Sequence, residues 1–201
     1  MWKPPFDVEF LAGVDEVGRG PLAGDVIAAA VILPANHGIK GLADSKAISA
    51  YQREVLYQDI IKQAVCYSVA RATVEEIDRF NILQSTLMAM RRAVKSLQIQ
   101  PDFVAVDGNR LPQWEYKSEA IVKGDGKVEV ISAASIVAKV IRDAEMKEMD
   151  NVYPGYGFDA NKGYPTAQHL EALKRIGPCP IHRRSFSPLS EKTKPKQSQL
   201  F

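Results

Sequence analysis

Eight consecutive apolar residues, "VIAAAVIL" from Val26 to Leu33, constrain this chain more than any other stretch. A strand with one wet face alternates apolar and polar side chains, whereas an unbroken apolar run must be covered on both faces. That calls for a sheet with layers on each side. "FLAGVDE" (Phe10 to Glu16) reads as a second short strand, and the turn residues of "GPLAG" lie between the two, so they are expected to pair as a hairpin. "AVCYSVA" (Ala64 to Ala70), "DFVAVD" (Asp102 to Asp107) and the start of "EAIVKGDG" (Glu119 to Gly126) have strand character as well.

Helix signals separate these runs. Ser49 with Gln52, and Thr73 with Glu76, have the spacing of capping boxes. Val55, Leu56 and Ile60 give the first helix an apolar face. Leu83, Leu87, Met90, Val94 and Leu97 step by four and three, the spacing of a core-facing stripe. Val130, Ala134, Val137 and Ile141 mark one face of a third helix, and Ser132, Ser135, Lys139 and Arg142 mark another. In "YPTAQHLEALKRIG", Pro165 stands near a helix start and Gly177 just past its end.

The expectation is an α/β fold, a mixed central sheet flanked by helices. Residues 1–189 form the expected domain, with 151–189 a C-terminal helical extension packed against the sheet. From Ser190 the tail "SEKTKPKQSQLF" is polar, lysine-rich and broken by proline, so 190–201 is expected to be disordered.

A chain of 201 residues can bury a sizeable core. Its net charge of +2 neither demands nor excludes a nucleic-acid partner. Cys66 and Cys179 lack metal-type spacing and read as reduced thiols. The N-terminus has no signal-peptide core and no apolar run is long enough to span a bilayer, so a cytoplasmic protein without a membrane partner is expected.

Asp15, Asp107 and Asp125 each follow a strand-like run and precede a glycine-containing turn. In open α/β sheets, sites gather where strands end at their carboxyl edges. Adjacent residues of a regular strand face opposite sides. For Glu16 to join Asp15 in one site, the chain is therefore expected to leave strand geometry here, which Gly18 and Gly20 make cheap. Clustered carboxylates stay ionised only beside a cation, and an all-oxygen set suits Mg²⁺ or Mn²⁺. Turn-capping acids, a phosphatase, a nuclease and a structural calcium site all fit this pattern. The Gly18-Arg19-Gly20 turn is neither a Walker loop nor a dinucleotide fingerprint. It offers bare backbone that can lie along a sugar-phosphate chain and contact a 2′-hydroxyl, or it is a plain turn with a solvated arginine.

Taken together, "GVDEVGRGPLAG", "LADSK", "DRFNIL", "VDGNR", "VKGD", "ISAASIVAKVIRD", "YGFDANKGYPT" and "HRRSF" resemble the bacterial ribonuclease HII family, over about Leu11 to Phe186. The resemblance implies a ribonuclease H-like fold with a C-terminal helical extension. It implies an endonuclease that cuts the RNA strand of RNA–DNA hybrids and incises 5′ of single ribonucleotides in duplex DNA. A two-metal mechanism using Mg²⁺ or Mn²⁺ would leave 3′-hydroxyl and 5′-phosphate ends. The metal-binding acids fall on Asp15, Glu16, Asp107 and Asp125, with Asp125 expected to be the loosest because it sits on a turn. Gly18, Arg19 and Gly20 fall on the 2′-hydroxyl reader, and Tyr164 on the residue that stacks against the neighbouring deoxyribose. Lys46 is a phosphate contact by the same resemblance. Arg183 and Arg184 are expected to join Arg19 and Lys46 in displacing counterions, so binding should weaken with salt. The "DSK" motif continues with Ala47-Ile48 where the family has Lys-Leu, and Gly126 stands where serine is common. His169, beside Leu170 on a helix, reads as structural or surface, and His37 and His182 carry no stronger signal.

The terminal "QSQLF" resembles the peptides by which bacterial replication proteins dock on the sliding clamp, with Gln197, Leu200 and Phe201 as the anchors. A monomer is expected. Two rival readings are a metal-dependent phosphatase and a non-catalytic hybrid binder. The first has no use for a sugar reader, and in the second four acids would repel the phosphate backbone.

Overall fold

The computed structural model describes residues 2–42 and 48–190. Lys46 and the anchors Gln197, Leu200 and Phe201 lie outside the described residues. Among the described residues five strands form one mixed sheet: β1 (Leu11–Val17), β2 (Val26–Ile32), β3 (Cys66–Ala72), β4 (Phe103–Asp107) and β5 (Ser118–Ile121), in the order β3-β2-β1-β4-β5. β1, β2 and β3 pair antiparallel, while β4 and β5 continue from β1 in parallel.

The apolar run that opened the sequence behaves as its composition requires. Every residue of β2 is buried. Its alternating side chains divide between two cores. Ala28, Ala30 and Ile32 meet Ala89, Met90, Ala93 and Val94 of α2 (Val74–Lys95). Ile27, Ala29 and Val31 meet Ile60 of α1 (Ala50–Gln63) and Ile131, Ala134 and Ala138 of α3 (Glu129–Val152). Burying a Val or Ile side chain fully is worth about 1.5–3 kcal/mol, so this strand anchors both layers.

Both capping boxes are formed, at Ser49–Gln52 and Thr73–Glu76. Arg92 clasps the Glu76 carboxylate at 2.6 and 2.8 Å. Leu83, Leu87, Met90 and Val94 of the stripe lie in the second part of α2, and Leu97 follows its end. Asn81 (φ 68°, ψ 165°) breaks the helix, and its side chain re-caps the next turn by accepting from the Leu83 and Gln84 N–H groups.

α3 lies over β1 at very close range. A Cβ on Gly13 would stand 2.1 Å from the carbonyl carbon and oxygen of Val130, so only glycine lets the helix backbone reach the strand. The second face of α3 is not a solvated one. Ser132 and Arg142 are buried, the former bonding the Leu42 carbonyl.

The extension departs from expectation. α4 (Phe158–Asn161), α5 (Ala167–Ile176) and the loop after them do not cover the sheet, whose faces the other helices already occupy. Tyr156, Phe158, Ala172, Leu173 and Cys179 pack instead on Leu22 and Ala23, in the hairpin turn, and on Met146 of α3. Main-chain bonds seal the contact: Leu22 N–H to Gly163 O at 2.8 Å, Gly24 N–H to Ile181 O at 2.9 Å, and Arg183 N–H to Leu22 O at 2.8 Å. Both cysteines are free and buried. Among the described residues no helix is long and apolar enough to cross a membrane.

Candidate active site

The parallel pairing of β1 with β4 ends at Val14 and Val106, whereas its antiparallel pairing with β2 runs on through Asp15, Glu16 and Val17. The two acids therefore stand on regular strand where one neighbour has already left. The expected departure from strand geometry does not fall between them. It comes at Gly18 (φ 95°), because β2 holds the chain extended up to that point.

Asp107 ends β4, and Asp125 lies in a 3₁₀ turn (Gly124–Gly126) between β5 and α3. Asp107 Oδ1 ties the two together, accepting from the N–H of Gly124 at 2.6 Å and of Asp125 at 3.4 Å. Asp125 is only 2% exposed, so the turn that carries it keeps it buried.

The electrostatics of the pair on β1 are adverse without a cation. Burial pushes the Asp15 carboxyl well above the usual carboxylate range, and the charges of Glu16 and Asp107 push it further, against a hydrogen bond from Ser135 of α3. Burial raises Glu16 too, and Asp107 adds to this. Arg19 opposes the rise, with Nη1 3.3 Å from Oε1. The other oxygen, Oε2, is buried without a hydrogen-bond partner. A buried acceptor with nothing to accept from, among carboxylates that raise each other's proton affinity, is a place that fits a hard divalent cation. Among the described residues no three His, Cys, Asp or Glu side chains are already drawn together as a metal cage. Asp15 Oδ1 and Asp107 Oδ1 are engaged with backbone N–H groups instead.

The residues expected from the resemblance to contact the sugar meet at the next turn. A Cβ on Gly20 would lie 3.3 Å from Cε1 of Tyr164, so the tyrosine ring rests on this glycine. Tyr164 is held from behind by two histidines. The Cys179 N–H donates to His182 Nδ1 at 3.0 Å, which leaves the His182 proton on Nε2. That proton faces His169 Nε2 at 3.0 Å, and His169 Nδ1–H then donates to the Tyr164 carbonyl at 2.9 Å. Burial, with His169 as neighbour, drives His182 down to about 4, and burial lowers His169 too. His169 is thus a structural residue, and His182 has a role that its sequence context did not signal.

Arg183 is not where a phosphate contact would be. It is 0% exposed, and its guanidinium bonds main-chain carbonyls of the turn that carries Gly18 and Gly20. Arg184 is exposed, while its N–H and that of Ser185 are tied to the Asp78 carboxylate at 2.8 and 2.9 Å. Sequence reasoning also missed what Arg142 does. It donates to the carbonyls of Ala23, Asp25 and Lys162, joining the hairpin turn to the segment that bears Tyr164.

Residues 12–189 match the sequence model of the family Ribonuclease HII. A Ribonuclease HII from Polaromonas sp. (strain JS666 / ATCC BAA-500) is 59% identical over 190 residues, covering 94% of this chain and 94% of its own. Among solved structures, the ribonuclease H2 from Pyrococcus horikoshii OT3 is similar with a TM-score of 0.76 and 31% identity, over 90% of this chain and 95% of that one. The RNase HII of Archaeoglobus fulgidus, solved in a complex with PCNA, shares the fold with a TM-score of 0.70 at 24% identity, over 87% and 93% of the two chains. The mixed sheet with its flanking helices is thus ribonuclease H-like, and a family match that runs from β1 through the extension carries the enzyme class with it: the chain belongs to the ribonuclease HII family of ribonuclease H endonucleases.

Proposed function

We propose that this enzyme cuts the RNA strand of RNA–DNA hybrids and incises 5′ of single ribonucleotides in duplex DNA. The observation that carries this reading is the adjacency of two unlike sites. Buried Asp15 and half-buried Glu16 stand near the end of β1, and past Val17 begins a bare glycine turn with a tyrosine ring resting on it. A phosphatase acting on small substrates needs the first site and not the second.

Each part has a task. Asp15, Glu16, Asp107 and Asp125 would hold divalent cations, Mg²⁺ or Mn²⁺. Two such ions, when bound, would activate a water and neutralise charge on the attacking and leaving oxygens of the displacement at phosphorus. Ser135 orients the Asp15 carboxylate, and Arg19 holds Glu16 Oε1. The Gly18–Gly20 backbone receives the ribose 2′-oxygen, and the Tyr164 ring supports the next sugar. Lys46, Arg19 and Arg184 attract phosphates.

A duplex carrying one ribonucleotide tests the reading, offered with Mg²⁺ or Mn²⁺ to the wild type and to Asp107→Asn. The expected result is a single cut 5′ of the ribonucleotide, reduced on the order of 10³-fold or more in the variant, as loss of metal-supplied charge stabilisation implies. Binding without cutting would favour a hybrid-binding protein, and an uncut, unbound duplex would favour the phosphatase.

The terminal Gln197, Leu200 and Phe201 are proposed to dock on the sliding clamp. Two apolar anchors and one amide suit a small hydrophobic pocket. The Archaeoglobus protein, solved with PCNA, lends this support. Deleting residues 197–201 should remove clamp binding and leave cleavage of short duplexes intact. Unchanged clamp affinity would end the idea.

A further inference from the structure

A Gly-Arg-Gly tripeptide does not hold its own peptide planes, since glycine is the residue least restrained in φ and ψ. Here the restraint comes from residue 183. The Arg183 guanidinium donates from Nε to Gly24 O (3.0 Å) and from Nη1 to Arg19 O (3.0 Å) and Pro21 O (2.8 Å). Nη2 donates to Gly18 O (2.5 Å) and Gly24 O (2.7 Å). A guanidinium has five N–H donors, and all five are engaged with the carbonyls of this one turn. Among the described residues no carboxylate forms an ion pair with it.

Peptide geometry turns this clamp into a statement about the opposite side of the turn. In a planar trans peptide the carbonyl of one residue and the N–H of the next point in opposite directions. Leu22 illustrates the rule: the Pro21 carbonyl faces Arg183, and the Leu22 N–H points away, to Gly163 O at 2.8 Å. By the same geometry, drawing in the carbonyls of Gly18 and Arg19 turns the N–H groups of Arg19 and Gly20 outward. Both residues are exposed, and among the described residues no protein acceptor takes either N–H. Pro21 adds no third donor. The outcome is two adjacent, unoccupied donors at the place where the Tyr164 ring meets Gly20.

We propose that Arg183 is the positioning residue of the sugar reader: by fixing the Gly18 and Arg19 carbonyls inward it presents the Arg19 and Gly20 N–H groups to the ribonucleotide 2′-oxygen. This rests on the reading of the turn given under Proposed function. It assigns Arg183 a role in choosing the substrate without touching it. A lysine cannot replace it, because one nitrogen with three donors cannot span four carbonyls.

Arg183→Lys is the test, with Ca²⁺ in place of Mg²⁺ so that binding is measured without cutting. The wild type should bind a duplex with one ribonucleotide about tenfold more tightly than the all-DNA duplex of the same sequence, the scale of a hydrogen bond gained. In Arg183→Lys that preference should fall to within about twofold while all-DNA affinity holds. A residue that only supported the fold would lower stability and leave the preference untouched, so a preference surviving in the variant overturns the proposal alone. A wild type with no preference overturns the reading of the turn as well. Should the variant fail to fold, ¹⁵N spectra of the wild type decide. Separate, exchange-protected Arg183 guanidinium protons are expected, with Arg19 and Gly20 amides that shift on adding the ribonucleotide duplex and not the all-DNA one. A single averaged guanidinium signal, or unmoved amides, overturns the proposal.

Discussion

Asp15→Asn is expected to abolish cleavage and, in the same protein, to raise the thermal midpoint measured in chelator at pH 8. Asp15 is 6% exposed, and burial with the charges of Glu16 and Asp107 raises its proton affinity in the folded state. A carboxyl whose folded pKa lies above its unfolded value of about 3.9 favours folding fully only below that value, and the contribution is lost as pH rises through the folded pKa. At pH 8 the whole penalty of an ionised, buried acid is present. Asparagine removes the charge, and its amide oxygen can still accept the Glu16 N–H that Asp15 Oδ1 accepts at 2.7 Å. A gain of about 1–2 kcal/mol, or ~3–6 °C for a domain of this size, is the expected scale, shrinking towards pH 4. Adding Mg²⁺ or Mn²⁺ should raise the wild-type midpoint and have much less effect on the variant, since a ligand stabilises only the form that binds it. Calorimetry in chelator and with metal, at pH 8 and pH 5, reads all of this. A variant that melts below the wild type in chelator at pH 8 would show that the acids are not a store of strain.

Gly13→Ala is expected to cost the chain its fold. The added methyl would stand 2.1 Å from Val130 C and O and 2.3 Å from Ile131 N, all main-chain atoms with no rotamer to yield. Relief requires α3 to lift off β1, and α3 carries much of one core. Overpacking against backbone should exceed ~4 kcal/mol, a large part of the ~5–15 kcal/mol that holds a domain together. Insoluble expression, or a midpoint lowered by ~8 °C or more, is the outcome to look for. Any folded remnant should also cleave poorly, because moving α3 carries Ser135 away from Asp15. A midpoint within a degree of wild type would contradict the close crossing.

What could be read from the sequence was whatever depends on near neighbours. The hairpin, the strand endings at Asp107 and before Gly124, and the capping boxes at Ser49 and Thr73 are all short-range patterns, and the structure has them. The acids drew notice for the same reason: charges at the end of an apolar run are visible locally. Arg183 and Arg142 were not legible in this way. Their partners are main-chain carbonyls 159–165 and 20–119 residues away. A carbonyl has no letter in the sequence, and an arginine reads alike whether it faces solvent or the inside of a turn. The extension was misplaced on similar grounds, since Leu22 and Ala23 do not advertise that they need a cover. The two histidines behind Tyr164 become meaningful only when α5 and the loop after it are folded together.

β1 carries the acids close to its end and runs straight into the turn. Only Val17 separates Glu16 from Gly18. Any breathing of the strand therefore shifts the acid pair and the glycine turn together, like two marks on a short rule. Thermal displacement becomes a common-mode error that cancels in the spacing between the marks. Under the proposed function, the spacing from the acids of β1 to the sugar reader is kept by this short covalent link, while Arg183 keeps the peptide planes of the turn.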